Sequence, residues 1–149
     1  MLQKILAGAL FSFITLIVSA QVFAQADVIQ KRQDLMKSNG AAAKAIKAAV
    51  EAKDYATVET KAKDINGNAE KIVSAFPAGS TTGKTKATPA IWEKSDDFAK
   101  AAKNLGKTAG ELAAAAKSGD DAAVNTKVKA VGEACAACHK QFRADKYAE

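Results

Sequence analysis

Apolar residues recur along this chain at alternating three- and four-residue steps, with lysines and carboxylates between them, the pattern of amphipathic helices. Four such stretches follow an N-terminal apolar run. The first is predicted to start near Asp27, a residue type that caps helices well, and its stripe includes Ile29, Leu35, Met36, Ala42, Ile46 and Ala49. Asn39-Gly40 falls inside that period. In a strand context the dipeptide would make a hairpin turn; here it predicts a weak or kinked point. The second stretch starts near Asp54, carries Tyr55, Val58, Ala62, Ile65, Ala69, Ile72 and Phe76 in heptad register, and is closed by Pro77. The third starts around Thr88-Pro89, with proline in the first turn. It runs to Ser118-Gly119 with Ile91, Phe98, Ala102, Leu105, Ala109, Leu112 and Ala116 on one face. The fourth begins at Asp120 or Asp121, and its stripe is Val124, Val128, Val131, Cys135, Cys138 and Phe142.

Helices of this length joined by short connections predict an all-α fold, an up-down-up-down four-helix bundle. The one moderate loop, residues 78–88, is rich in Gly, Ser, Thr and Lys. Its Gly79-to-Thr85 segment resembles a phosphate-binding loop, but it has three residues between the glycines instead of four and no strand before it. It reads as an ordinary connection. Many inward positions are alanine: Ala62, Ala69, Ala102, Ala109 and Ala116. Helix propensity alone explains alanine, yet a packed interior needs volume, and a bound prosthetic group would supply it.

Residues 1–24 stand apart. Lys4 precedes an apolar run from Ile5 to Ala20, and Val22-Phe23-Ala24 forms an A-x-A-like cleavage site. The run is short for a membrane span of about 20 apolar residues. A secretory leader cleaved after Ala24 is therefore expected, with the mature domain at 25–149, export to the periplasm and no membrane insertion after cleavage.

The chain has only two cysteines and one histidine, and all three lie in Cys135-Ala136-Ala137-Cys138-His139. C-x-x-C-H is the attachment signature of a c-type haem. Thiols three residues apart project from one helix face, and there they can add across the two vinyl groups of the porphyrin. His139 follows one turn after Cys135, where its imidazole can reach the iron. A zinc site normally takes four ligands, which this set cannot supply. A thioredoxin-like pair expects a βαβ context that the pattern lacks. A structural disulfide would leave His139 as coincidence. Both cysteines fall on the inward stripe, so the haem is expected inside the bundle.

With one histidine, a bis-histidine iron is excluded within the chain. The mature chain has one methionine, Met36, on the inner stripe of the first helix. A thioether is a good sixth ligand; methionine is also the commonest flexible core filler. Both uses stay open at the level of the residues.

The whole mature chain resembles the class II cytochromes c, the cytochromes c′ and their low-spin relatives. The likeness rests on C-A-A-C-H, Arg143 four residues after His139, Arg32-Gln33-Asp34-Leu35-Met36, Phe76-Pro77 and Pro89-Ala90-Ile91-Trp92. It implies one covalently bound haem c, with the residue four after the arginine, Met36, facing the iron. In the low-spin branch that methionine ligates; in cytochromes c′ the position is often Leu or Phe, in a few a non-ligating Met, and the iron is five-coordinate. The run from Leu35 to Gly40 looks more like the low-spin branch. The resemblance also places Arg32 and Gln33 near the haem propionates and Arg143 beside the proximal histidine. Without it, Arg32 and Gln33 read as exposed helix residues and Arg143 as a charge suited to a helix C-terminus. Family members often pair as homodimers through their first two helices.

The net charge of +6 is spread along polar helix faces. No basic cluster with interleaved aromatics appears, which argues against nucleic acid. A mildly basic surface suits acidic redox proteins of the periplasm, or is simply solvated. No nucleophile–base or acid pair stands on an inner face, so no enzyme activity is expected. The leading expectation is a periplasmic carrier of single electrons with iron between His139 and Met36. Its alternative is a five-coordinate cytochrome c′ binding nitric oxide or carbon monoxide, and a haem-free helical module with a disulfide comes third.

Overall fold

Asp54 and Asp120 each stand just ahead of a helix and each takes a backbone N–H. The Asp54 carboxylate accepts from Thr57 N at 3.1 Å and the Asp120 carboxylate from Ala123 N at 3.0 Å. Such caps satisfy donors that a first turn leaves open. The computed structural model describes residues 2–146, with side chains from residue 25 onward, so the side chains of the expected leader lie outside it. Its helices are α1 (Leu2–Glu51), α2 (Tyr55–Ile72), α3 (Ala90–Glu93), α4 (Ser95–Ser118) and α5 (Asp121–Phe142). α1, α2, α4 and α5 form the four-helix bundle. The described residues hold no strand, only an isolated bridge between Ala87 and Arg143. Gly119 ends α4 at φ 71°, the left-handed conformation that suits glycine.

Four details of the helices differ from expectation. α1 does not begin at Asp27 but runs from Leu2; no glycine or proline stands between Ala20 and Asn39 to stop it. Nor does α1 break at Asn39-Gly40, where Asn68 of α2 donates from Nδ2 to Asn39 Oδ1 at 2.9 Å and ties the helix to its neighbour. The helix expected over 88–118 is broken at Lys94 (φ −121°, ψ 48°) into α3 and α4. The α3 turn is held from elsewhere, because Trp92 Nε1 donates to the carbonyls of Phe76 (3.1 Å) and Pro77 (3.0 Å). α2 itself ends at Ile72 and passes through a 3₁₀ turn, Val73–Ala75, before Pro77.

The core follows the order of the helices around the bundle. α2 packs most heavily on α4, α4 on α5 and α1 on α2, while α1 and α5 barely meet. The inward alanines serve the first of these seams. Ala62 and Ala109 have no exposed surface, and a Cβ on Gly106 would stand 3.4 Å from Ala69 Cβ. Small residues thus let α2 and α4 approach closely. They do not make room for a prosthetic group, as the sequence suggested, for none of the five alanines borders the cavity described below. At one end of the bundle Phe98 meets Phe76 and Phe142 edge-on, with ring centroids 5.1 and 5.2 Å apart. That geometry is the favoured one for aromatic pairs, and it joins α4 to the end of α2 and to α5.

Ala109→Leu forces new volume into the α2–α4 seam and is expected to cost about 1–3 kcal/mol. Chemical denaturation of the purified protein checks this, and unchanged or increased stability contradicts the close-approach role.

Candidate functional site

The poorly joined α1–α5 seam opens into a cavity of about 520 Å³, within the usual range for cofactor pockets. α5 supplies Cys135, Cys138, His139 and Phe142 to one wall, three and four residues apart on one helix face. α1 supplies Arg32, Gln33, Met36, Asn39 and Gly40 to the opposite wall. Between them the base is apolar: Ile65 and Ile72 from α2, Phe98 and Leu105 from α4, with Phe76 and Ile91 at one end. All seven candidate residues from the sequence, Arg143 included, border this one cavity.

Cys135 and Cys138 carry free thiols, both half-buried. Burial pushes each thiol above its ordinary pKa, and Cys135 pushes Cys138 further. Both therefore stay protonated at neutral pH. His139 is shifted the other way: burial lowers its pKa, and Arg143 one turn on adds to the effect. A neutral imidazole keeps a lone pair free for a metal. Among the described residues no three His, Cys, Asp or Glu side chains come together as a metal site.

Arg32 is not an exposed helix residue. Its side chain is buried, with 2% of its surface exposed. Nη1 donates to Ser80 Oγ (3.1 Å), and Nη2 donates to Ser80 O (3.0 Å) and Thr85 Oγ1 (3.2 Å). The guanidinium also lies 5.0 Å from the Phe76 ring centroid and 6.0 Å from that of Trp92, within cation–π range. Nε has no partner, and among the described residues no carboxylate pairs with this cation. Burial lowers its pKa, yet a guanidinium stays charged. A buried, uncompensated cation at the edge of a cavity is costly and suits an anionic ligand.

The 78–88 loop has a larger role than a simple connection. Besides its Arg32 bonds, Lys84 O accepts from Gln33 Nε2 at 2.9 Å and Thr82 O from Gln25 Nε2 at 2.9 Å. On the other side Thr88 N donates to Phe142 O (3.1 Å) and Ala144 N to Lys86 O (2.8 Å). Gly83 sits at φ 108°, and a Cβ there would lie 2.7 Å from Ile29 Cδ1, so glycine is required for the loop to rest on α1. The hydroxyl-rich segment that looks like a phosphate loop spends Ser80 and Thr85 on Arg32. Sequence reasoning also passed over Asn39, which is 9% exposed and borders the cavity. Its place one residue off the Met36 stripe was the available signal.

A planar, mostly apolar group with acidic substituents, two attachment points for thiols and a central metal meets this donor set: paired thiols, a neutral imidazole, an apolar base and a lone buried cation. The comparisons with known proteins agree. The family described as cytochrome C′ matches residues 27–143. A cytochrome c-556 of Agrobacterium fabrum is 35% identical over 148 residues, covering 97% of each chain. A cytochrome c′ of Rhodospirillum rubrum is 45% identical over 85 residues, covering 56% of this chain and 58% of its own. The crystal structure of cytochrome c′ from Thermochromatium tepidum superposes with a TM-score of 0.75 at 31% identity, covering 81% of this chain and 97% of the other. Bundles of this kind are standardly exemplified by cytochrome c′ itself. On sequence and fold together, the chain belongs to the cytochrome c′ family, the class II cytochromes that carry a covalently attached haem c.

Proposed function

We propose that the protein is a periplasmic carrier of single electrons, with haem c attached through Cys135 and Cys138 and iron held between His139 and Met36. The observation that carries the proposal is the pairing of walls. The only histidine and the only methionine of the mature chain stand on the two helices, α5 and α1, that flank one cavity. The haem, when bound, supplies an iron that cycles between the ferric and ferrous states. The chain's own groups prepare for it. His139 is neutral by burial and so can bind metal without first losing a proton. The Met36 thioether, a soft and neutral donor, favours the ferrous state and raises the reduction potential. Arg32 has Nε left over for a propionate while its other nitrogens hold the 78–88 loop. Gln33, with Nε2 committed to Lys84 O, steadies the same rim, and Arg143 keeps positive charge beside His139. Two ligands and a largely apolar enclosure leave the iron little to rearrange on electron transfer, which is what a carrier needs. The leader over 1–24 belongs to the same proposal, since haem attachment of this kind accompanies export. Among the described residues no helix is long and apolar enough to cross a membrane.

Ferric and ferrous visible spectra, with and without carbon monoxide, test the ligand pair. The purified protein should be low-spin and bind carbon monoxide poorly. Met36→Ala should be high-spin, with carbon monoxide affinity raised on the order of tenfold or more as the closed population is lost. A wild-type protein that is already high-spin and binds carbon monoxide readily assigns Met36 to packing and favours a gas-binding cytochrome c′ instead. N-terminal sequencing of the exported protein should begin at Gln25; a chain that retains Lys4 refutes the cleaved leader.

A further inference from the structure

The α1 wall of the cavity is not purely apolar. Asn39 lies one turn beyond Met36 on α1, at the three-residue spacing that keeps two side chains on neighbouring stripes. It borders the cavity and is more than nine-tenths buried. Burying an amide among apolar groups is costly unless its polar atoms are used. The oxygen is used: Oδ1 accepts from Asn68 Nδ2 at 2.9 Å, and the same Asn68 nitrogen donates to Ser38 Oγ at 3.1 Å. This bond fixes the orientation of the Asn39 amide from the α2 side. The amide nitrogen donates to no described residue and is not fully enclosed, so its two N–H donors are free for a group at the cavity that Asn39 borders. Gly40 and Ala43 beside it add no bulk: a Cβ at Gly40 would meet nothing within 4 Å. The α1 wall thus offers a thioether, a small open space and one oriented donor.

The geometry points to Asn39 as the residue that determines ligand preference on the sixth-ligand side of the haem. Its N–H2 donates into the cavity beside Met36 and favours ligands that carry negative charge over neutral ones of the same size. Asn68 is its positioning residue. A hydrogen bond to a charged acceptor is worth more than one to a neutral acceptor, so the donor discriminates by charge and not by shape. The inference rests on the haem lying in this cavity, as proposed above, but not on Met36 being a ligand.

The test uses the haem-loaded protein with Met36→Ala, which leaves the α1 side open whether or not Met36 ligates in the wild type. The probes are cyanide on the ferric protein and carbon monoxide on the ferrous protein. Asn39→Asp retains the acceptor for Asn68, removes the donor and adds a negative charge. Asn39→Leu removes both without adding charge. Both are expected to weaken cyanide binding by about tenfold while carbon monoxide affinity changes less than about threefold. If Asn39→Asp weakens cyanide but Asn39→Leu does not, the effect is added charge and the donor role is overturned. Equal changes for the two probes, or none, overturn it as well. Failure of the haem proposal shows separately, as absence of covalent haem on a denaturing gel. If Asn39→Leu fails to fold, Asn68→Ala stands in for it. That variant loosens the tether outside the cavity wall and is expected to weaken cyanide alone; an unchanged ratio of the two affinities then overturns the inference.

Discussion

A helix bundle gains its stability by closing every seam, and this one leaves the seam between α1 and α5 open. The constraint shapes the rest of the molecule. α1 cannot be placed by packing on α5, so it depends on α2 and on the 78–88 loop. Arg32, Gln33 and Gln25 hold that loop from α1, while Thr88 and Ala144 join it to the end of α5. The two walls are therefore registered against each other through a third segment, which bridges one end of the gap and leaves its middle free. The Phe76–Phe98–Phe142 cluster stiffens that same end. The apolar base of the cavity, from Ile65 to Leu105, gains full burial when a flat apolar group covers it.

Arg32 is where the electrostatics concentrate. Two aromatic faces and three hydrogen bonds support its charge, but none of these neutralises it. A buried cation without a counter-charge opposes folding, and an anionic group at Nε would offset part of that cost. Ligand binding and loop placement are thereby linked through one side chain. At the other wall the balance differs. His139 and the two thiols are all held in their neutral forms by burial, and the charge beside them is the Arg143 guanidinium.

Much of this was legible in the chain. The helix starts at Asp54 and Asp120 are local events, settled by one side chain and one backbone N–H each, and a sequence reports such events well. Cys135, Cys138 and His139 share a face because helical spacing requires it, and Met36 lies on the stripe that faces them. What was not legible depended on neighbours distant in sequence. Arg32 looks like a surface residue until the loop folds over it. The inward alanines suggest room for a ligand, whereas the room lies at another seam and the alanines serve the α2–α4 approach. Asn39-Gly40 carries the local signal of a turn, and the bond from Asn68 together with the surrounding helix overrides it. The break at Lys94 follows from Trp92 reaching back to the end of α2, a contact no periodicity announces.

The alanine seam also bears on the order in which the molecule is assembled. α2 and α4 meet through residues that take no part in the cavity, so their pairing does not wait for the cofactor. Cys135, Cys138 and His139 stand on α5, whose seam with α1 is the open one. The base of the cavity, Ile65 and Ile72 with Phe98 and Leu105, belongs to the α2–α4 pair itself. α5 thus brings its thiols to a cradle whose base is set by another pair of helices, and covalent attachment of a prosthetic group there would close the fold instead of nucleating it.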